Sequence, residues 1–315
     1  MSNGDILLFS GNSNPHLALR ISENLGIPLG RALVGQFSDG ETRVELHDNV
    51  RGKDVYLLQS TSAPTNHHIM EVLIMIDACK RASAANITLV APYFGYARQE
   101  RKSAPRTPIT AKLVAGLLEN AGICRLLTLE LHNSAIQGFF NVPVDHLFAN
   151  PIFAEHFANK IESLVVVSPD AGGVERSRAL AKLFGCGLAI IDKRRPRPNE
   201  SSISHIIGEV AGKNCLIVDD IVDTGGSLVN AAVALREAGS LSVSGAITHA
   251  VLSGEAISRI ANASALHELI VTDSVPLAPQ AEACGKIKQV SIARLMSEAI
   301  KRIHHHDSIS SLFNT

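Results

Sequence analysis

The cluster with the clearest chemical meaning is Ile-Val-Asp-Asp-Ile-Val-Asp-Thr-Gly-Gly-Ser at positions 217–227. Residues 215–218 lead into it as an apolar, partly β-branched run that reads as a buried strand, and residues 227–238 carry helical periodicity. Ligands of parallel α/β folds bind at the carboxyl ends of strands. At such an end Gly225 and Gly226 let backbone N–H groups approach a phosphate, and a helix start adds oriented N–H groups with a favourable dipole. Asp219 and Asp220 cannot face a phosphate directly, so they suit sugar hydroxyls or a magnesium ion. Together these residues describe a sugar-phosphate pocket. A capped glycine turn is the competing structural reading, but it does not call for two acids and two glycines at one strand end. GxxxxGK[ST], GxGxxG after a strand, HExxH and GxSxG do not occur, which disfavours a standard ATPase, dehydrogenase, zinc protease or serine hydrolase.

Short β-branched runs at 6–9, 55–59, 87–91, 126–129, 164–167, 188–191, 215–218 and 243–248 alternate with amphipathic stretches at 66–82, 110–120, 175–183 and 227–238. That rhythm predicts parallel sheets flanked by helices. A chain of 315 residues, 46% hydrophobic and 19% charged, has material for two cores. An internal echo agrees with two domains: residues 50–60 (Val-Arg-Gly-Lys-Asp-Val-Tyr-Leu-Leu-Gln-Ser) align without gaps on 210–220 (Val-Ala-Gly-Lys-Asn-Cys-Leu-Ile-Val-Asp-Asp). We read this as an ancient duplication joined near 149–151, giving domains 1–149 and 150–315. In the first copy Gln59-Ser60 replace the acid pair and Thr65-Asn66-His67 replace Gly225-Gly226-Ser227, so its site is expected to be degenerate.

Three segments interrupt the pattern. Residues 35–46 predict a β-hairpin turning at Asp39-Gly40. Residues 193–202 (Lys-Arg-Arg-Pro-Arg-Pro-Asn-Glu-Ser-Ser) read as a mobile basic loop, and 98–108 as another proline-containing one. The consecutive His304, His305 and His306 point in different directions on a helix and are expected to face solvent. A net charge of -1 supplies no global field for nucleic acid. Five scattered cysteines without a CxxC pair, and no apolar run approaching the roughly 18 residues of a membrane span, predict a soluble cytoplasmic protein.

The 217–227 loop resembles the ribose-phosphate loop of the phosphoribosyltransferase superfamily, and nearly the whole chain is similar to the ribose-phosphate diphosphokinase family. The motifs carrying the resemblance are Phe37-Ser-Asp-Gly-Glu41, Tyr93-Phe-Gly-Tyr-Ala-Arg-Gln99, Leu131-His132 with Gln137-Gly-Phe-Phe140, Val167-Ser-Pro-Asp-Ala-Gly-Gly173, and Ile191-Asp-Lys-Arg-Arg195. The resemblance implies two tandem phosphoribosyltransferase-like domains. It also implies diphosphoryl transfer from ATP to ribose 5-phosphate, feeding nucleotide, histidine and tryptophan biosynthesis. Asp219 and Asp220 would meet the ribose, and Asp223, Thr224, Gly225, Gly226 and Ser227 would cradle its 5-phosphate. Phe37, Asp39, Gly40 and Glu41 would meet the adenine end of ATP from a neighbouring subunit, with Arg98, Gln99 and Arg101 flanking the nucleotide. His132 and Asp170 would serve Mg2+, while Lys193 and Arg195 would close over the transferring phosphates, Arg195 also reaching ribose 5-phosphate. Family members commonly assemble as homohexamers regulated by phosphate and ADP, and Arg51, Ser83, Ser308 and Ser310 match positions linked to that regulation.

Each of these residues has a plainer reading: His132 as a hydrogen-bonded structural histidine, Asp170 as a helix cap, 193–197 as a solvated basic loop, and Phe37 as core. The chain also departs from the family pattern. Glu130 and Glu100 stand where aspartates are usual, shifting each charge by about one methylene, and His67-His68 replace a more usual Asp-Asn pair. The loop alone does not separate synthesis of the activated ribose from its use by a phosphoribosyltransferase. The hairpin and the basic loop favour synthesis. Intact Asp219, Lys193, Arg195 and His132 weigh against a non-catalytic regulatory subunit.

Overall fold

The computed structural model describes residues 6–158, 162–197 and 200–313, with the backbone alone at 193–197, 200–204 and 313. Its internal contacts divide the chain into two units, one made of residues up to Leu147 together with Ser291–Phe313, the other of Phe148–Val290.

The first unit contains β1 (Ile6–Ser10), α1 (Pro15–Leu25), β2 (Ala32–Gln36), β3 (Thr42–Leu46), β4 (Asp54–Leu58), α2 (Thr65–Arg81), β5 (Asn86–Ala91), α3 (Thr110–Ala121), β6 (Arg125–Leu129) and β7 (Val144–Leu147). β1, β4, β5, β6 and β7 lie side by side, each parallel to its neighbour. The runs Val55–Leu58 and Ile87–Ala91 are buried throughout, as expected of strands covered on both faces. α1 shows how local sequence fixes an element: Asn14 accepts a hydrogen bond from Leu17 N (3.2 Å), Pro15 starts the helix, and Gly26 ends it in the left-handed conformation. β2 and β3 form the expected hairpin, a separate two-stranded sheet, with Phe37 N bonded to Glu41 O (2.8 Å) across the turn.

The second unit contains α4 (Asn150–Phe157), β8 (Leu164–Ser168), α5 (Val174–Phe184), β9 (Gly187–Arg197), β10 (Glu200–Ile207), β11 (Asn214–Val222), α6 (Gly226–Glu237), β12 (Ser242–Ala250), α7 (Ala256–Asn262), β13 (Glu268–Thr272), α8 (Pro279–Glu282) and β14 (Ile287–Val290). Its strand order is β10-β9-β8-β11-β12-β13-β14, parallel except for β10. β11 feeds two cores. Cys215 and Ile217 join Ala231, Leu235 and Val271 on one face, while Leu216 and Val218 join Phe153, Leu180 and Ile270 on the other.

The echo in sequence is repeated in hydrogen bonds. Gly52 and Gly212 hold φ of 67° and 66°. Lys53 N reaches Val50 O at 3.0 Å and Lys213 N reaches Val210 O at 3.1 Å, and Gly52 N and Gly212 N reach Ser83 O and Gly239 O at 2.8 and 2.9 Å. Both copies then enter a central parallel strand.

Three expectations need correction. Residues 193–197 and 200–202 are not irregular: the backbone of β9 continues beyond its last pairing with β8, Ser168 with Ile190, as a ribbon paired with β10, while residues 198–199 lie outside the described structure. The domain 150–315 does not hold its C-terminal end either, since α9 (Ala293–His305) packs with α1 and places Met296, Ala299 and Ile300 in buried positions of the first unit. Lys301 Nζ donates to Asn24 O at 2.9 Å. Finally, His304 does not face solvent. It follows Ile300 by one helical turn on the buried stripe, its side chain is only 7% exposed, and its Nδ1 sits 3.3 Å from Asp54 Oδ2.

Because Met296 is fully buried, Met296→Ala is expected to lower unfolding stability by about 2–5 kcal/mol. Urea unfolding checks this, and an unshifted midpoint would mean that α9 does not pack as described.

Candidate functional site

β11 pairs with β8 only as far as Ile217, but with β12 as far as Val222. Beyond Ile217 the strand therefore has an open flank, and Asp219 and Asp220 sit there, within the strand rather than after it. The loop after β8 curls beside this opening: Asp170 Oδ1 accepts hydrogen bonds from Gly172 N (2.9 Å) and Gly173 N (3.2 Å), which fixes the turn into α5. From the first turn of α5, Arg176 sends Nη1 to 3.5 Å from Asp219 Oδ1 and 3.4 Å from Asp220 Oδ1. Asp220 N donates to Asp219 Oδ1 at 2.9 Å.

The charges do not balance. Burial, the neighbouring Asp220 charge and a hydrogen bond with Asp220 push the Asp219 carboxyl up to about 8, Arg176 opposes them, and Asp170 adds to the rise. A cation brought close, or hydroxyl donors, would relieve this excess of negative charge.

Past the acids, Gly225 takes φ +74°, a left-handed conformation that turns the chain sharply into α6. α6 starts with no side-chain cap, so the N–H groups that helix geometry leaves over in its first turn point outward beside the exposed Thr224 and Ser227. The Asp223 carboxylate accepts from Ser253 Oγ, and its carbonyl accepts from Ser253 N at 3.0 Å. These contacts pin the loop to the segment after β12. Arg259 on α7 donates to Thr224 O, placing a guanidinium against the loop. A helix start with the N–H groups to receive an anion thus lies just beyond an acid pair on one continuous strand and turn.

Sequence reasoning missed both arginines. Arg176 lies three residues past Gly173, in the first turn of the helix that follows the 168–173 motif, and that placement was a usable signal. Arg259 lies 35 residues from Thr224 and reaches it only through folding, so no local pattern marks it.

In the first unit the hairpin turn presents Phe37, half-exposed under the Arg43 guanidinium (5.7 Å to the ring centroid), with Glu41 N held by Asp39 Oδ1 at 3.1 Å. Arg98, Gln99 and Arg101 lie exposed on the irregular segment after β5. Gln99 Oε1 accepts from Thr110 Oγ1 (2.6 Å), and Arg101 Nε lies 3.4 Å from Glu100. Thr61, at the place of Ile221 in the echo, braces this segment: Thr61 Oγ1 accepts from Gly95 N at 2.6 Å, and Thr61 N donates to Tyr93 O at 2.9 Å. A Cβ on Gly95 would come within 2.3 Å of Thr61 O, so only glycine fits. His132 is exposed after β6, on a turn held by His146 Nε2, which accepts from Leu131 N at 2.8 Å. Glu130 is buried with φ 45°. Arg51 and Ser83 are drawn together through the Gly52 N to Ser83 O bond, and Ser308 Oγ lies 3.1 Å from Ser310 Oγ. The backbones of Lys193 and Arg195 belong to β9, and their side chains lie outside the described part of the structure.

A carboxyl that holds its proton more tightly in the fold than in the unfolded chain stabilises the fold below the usual carboxylate range and loses that contribution as pH rises toward 8. Asp219→Asn removes this dependence. Without ligands or metal, the urea midpoint of the variant is expected to gain on that of the parent between pH 5 and pH 8. A constant difference would show that Asp219 titrates normally.

Comparison with known proteins accords with this geometry. A family model described as the N-terminal domain of ribose phosphate pyrophosphokinase matches residues 6–122, and a phosphoribosyl synthetase-associated domain matches residues 190–314. The ribose-phosphate pyrophosphokinase of Ralstonia nicotianae is 55% identical over 99% of this chain and 99% of its own length. That of Burkholderia pseudomallei is 54% identical over 99% and 98%. A crystal structure of phosphoribosylpyrophosphate synthetase from Mycobacterium smegmatis superposes with a TM-score of 0.88 at 39% identity, covering 96% of this chain and 99% of that one. The chain belongs to the ribose-phosphate pyrophosphokinase family, and it is an enzyme of that transferase class.

Proposed function

We propose that the chain transfers the β,γ-diphosphoryl group of magnesium-bound ATP to the anomeric hydroxyl of ribose 5-phosphate, giving 5-phosphoribosyl 1-diphosphate and AMP. The observation that carries this reading is the acid pair Asp219-Asp220 set immediately before an uncapped helix start at Gly225-Gly226. Carboxylates accept hydrogen bonds from ribose hydroxyls, and the α6 N-terminus with Thr224 and Ser227 receives the 5-phosphate. Arg176 orients the two acids, and Arg259 braces the loop.

Such a transfer needs in-line positioning and charge neutralisation rather than a protein nucleophile. Lys193 and Arg195, carried on the β9–β10 ribbon, are assigned the neutralisation of the moving phosphates. Phe37, Asp39, Gly40 and Glu41 take the adenine end of ATP, and Arg98, Gln99 and Arg101 flank the nucleotide. Among the described residues no three His, Cys, Asp or Glu side chains form a metal cage. Magnesium commonly uses one or two protein ligands with water and substrate phosphates, and the adjacent Asp219 and Asp220 carboxyl oxygens on β11 are donors of the kind it takes. His132 and Asp170 are the residues assigned to it. When bound, the ion would supply neutralisation of the phosphate charge.

Self-association, as a homohexamer with the hairpin reaching a neighbour's ATP site, is part of the same reading. It is supported by the exposed Leu113 and Leu117 one turn apart on α3 and by the exposed Phe37 on the hairpin. No helix among the described residues is long and apolar enough to cross a membrane. A cytoplasmic setting suits the five cysteines, all present as thiols.

Incubation with magnesium, ATP and ribose 5-phosphate is expected to yield AMP. ADP would indicate an ordinary kinase, and the absence of turnover would indicate a regulatory subunit. Lys193→Ala is expected to reduce turnover by about 10²-fold or more with a much smaller effect on ribose 5-phosphate binding; near-normal turnover would remove this lysine from the mechanism.

A further inference from the structure

The hairpin is a two-stranded sheet, a form that is marginal by itself, so its direction depends on what it rests against. Val34, Val44 and Leu46 pack it on the first core, but apolar packing fixes angles weakly. Directional contacts come from a polar chain at the open end. Gln36, the last residue of β2 and the neighbour of Phe37, places Nε2 3.1 Å from Nδ1 of His67. On the other side of that ring, Nε2 lies 3.6 Å from Glu71 Oε2, whose side chain is 0% exposed. Glu71 is itself fixed, accepting from Asn12 N (2.7 Å), Asn12 Nδ2 (2.7 Å) and Gln59 Nε2 (2.6 Å). Asn12 Nδ2 also reaches Val34 O in β2 at 3.1 Å. A buried carboxylate with this many donors is an immobile anchor.

The positions are informative. In the gapless echo Gln59 stands at the place of Asp219 and His67 at the place of Ser227, so at these positions the first unit carries an internal network that ends on the hairpin. We propose that His67 is a positioning residue for the nucleotide: its imidazole ties the fixed Glu71 carboxylate to Gln36 and so sets where Phe37, Asp39 and Glu41 stand. With Nε2–H turned toward Glu71, Nδ1 is the acceptor for the Gln36 amide. This inference rests on the hairpin's assignment to ATP in the preceding section.

Steady-state kinetics of the full-length protein test it. His67→Ala and Gln36→Ala are each expected to raise KM for ATP about three- to tenfold, the range set by one hydrogen bond, with kcat and KM for ribose 5-phosphate within about twofold. The double variant should be no worse than the more affected single one, since both remove the same contact. His67→Asn, whose amide oxygen can replace Nδ1 as acceptor, should recover most of the loss. Equal damage to all three constants, additive effects of the two substitutions, or failure of His67→Asn to recover would overturn the proposal. Phe37→Ala separates the two layers. If it raises KM for ATP and His67→Ala does not, the positioning role fails while the ATP assignment stands; if Phe37→Ala has no effect, both fail. Should His67→Ala not fold, Gln36→Ala at the exposed end of the contact carries the same test.

Discussion

Two adjacent carboxylates on a central strand, with one guanidinium between them, are the constraint around which the second unit is organised. Neighbouring charges in a partly buried place are tolerated only where something answers them. Arg176 answers in part, and the open flank of β11, where pairing with β8 has ceased while pairing with β12 continues, leaves room for the remainder to come from a ligand. A better-paired strand would have sealed the acids in. The mismatch in strand lengths therefore does as much to make the site as the acids themselves.

The first unit shows what the same scaffold becomes when the acids are removed. Its turn at Gly52, its central strand and its parallel neighbours repeat those of the second unit. Gln59 and Thr61 bond inward, to Glu71 and to the 93–95 segment, where the second unit carries Asp219 and Ile221. These polar groups fasten two structures, the hairpin through Glu71 and the segment carrying Arg98 and Gln99 through Thr61.

Much of this was legible in the sequence because it is written in local chemistry. Buried parallel strands show as β-branched runs, the Asp39-Gly40 turn as a hairpin, and the glycine pair after the acids as a helix start. What escaped has a common physical cause, which is that long-range placement leaves no local pattern. Arg259 meets Thr224 only in the fold. β7 and β14, four residues each, are too short to show a period. The ribbon of β9 and β10 misled because its prolines and cations are the composition of a loop, while its strand pairing is between its own two arms. His304 misled because adjacent histidines were weighed as a group, while its own position, one turn after Ile300, already marked the buried face.

The return of α9 to the first unit has a consequence for the order in which the protein can form. Domains usually fold as units while the chain is being synthesised, the leading one first. Here the leading unit leaves the apolar face of α1 uncovered until residues 293–305 have been made, after every strand of the second unit. The part of the chain that is synthesised first is the part that matures last, and a ribosome stalled between the two would expose α1, not the acid-bearing crevice, to chaperones and proteases.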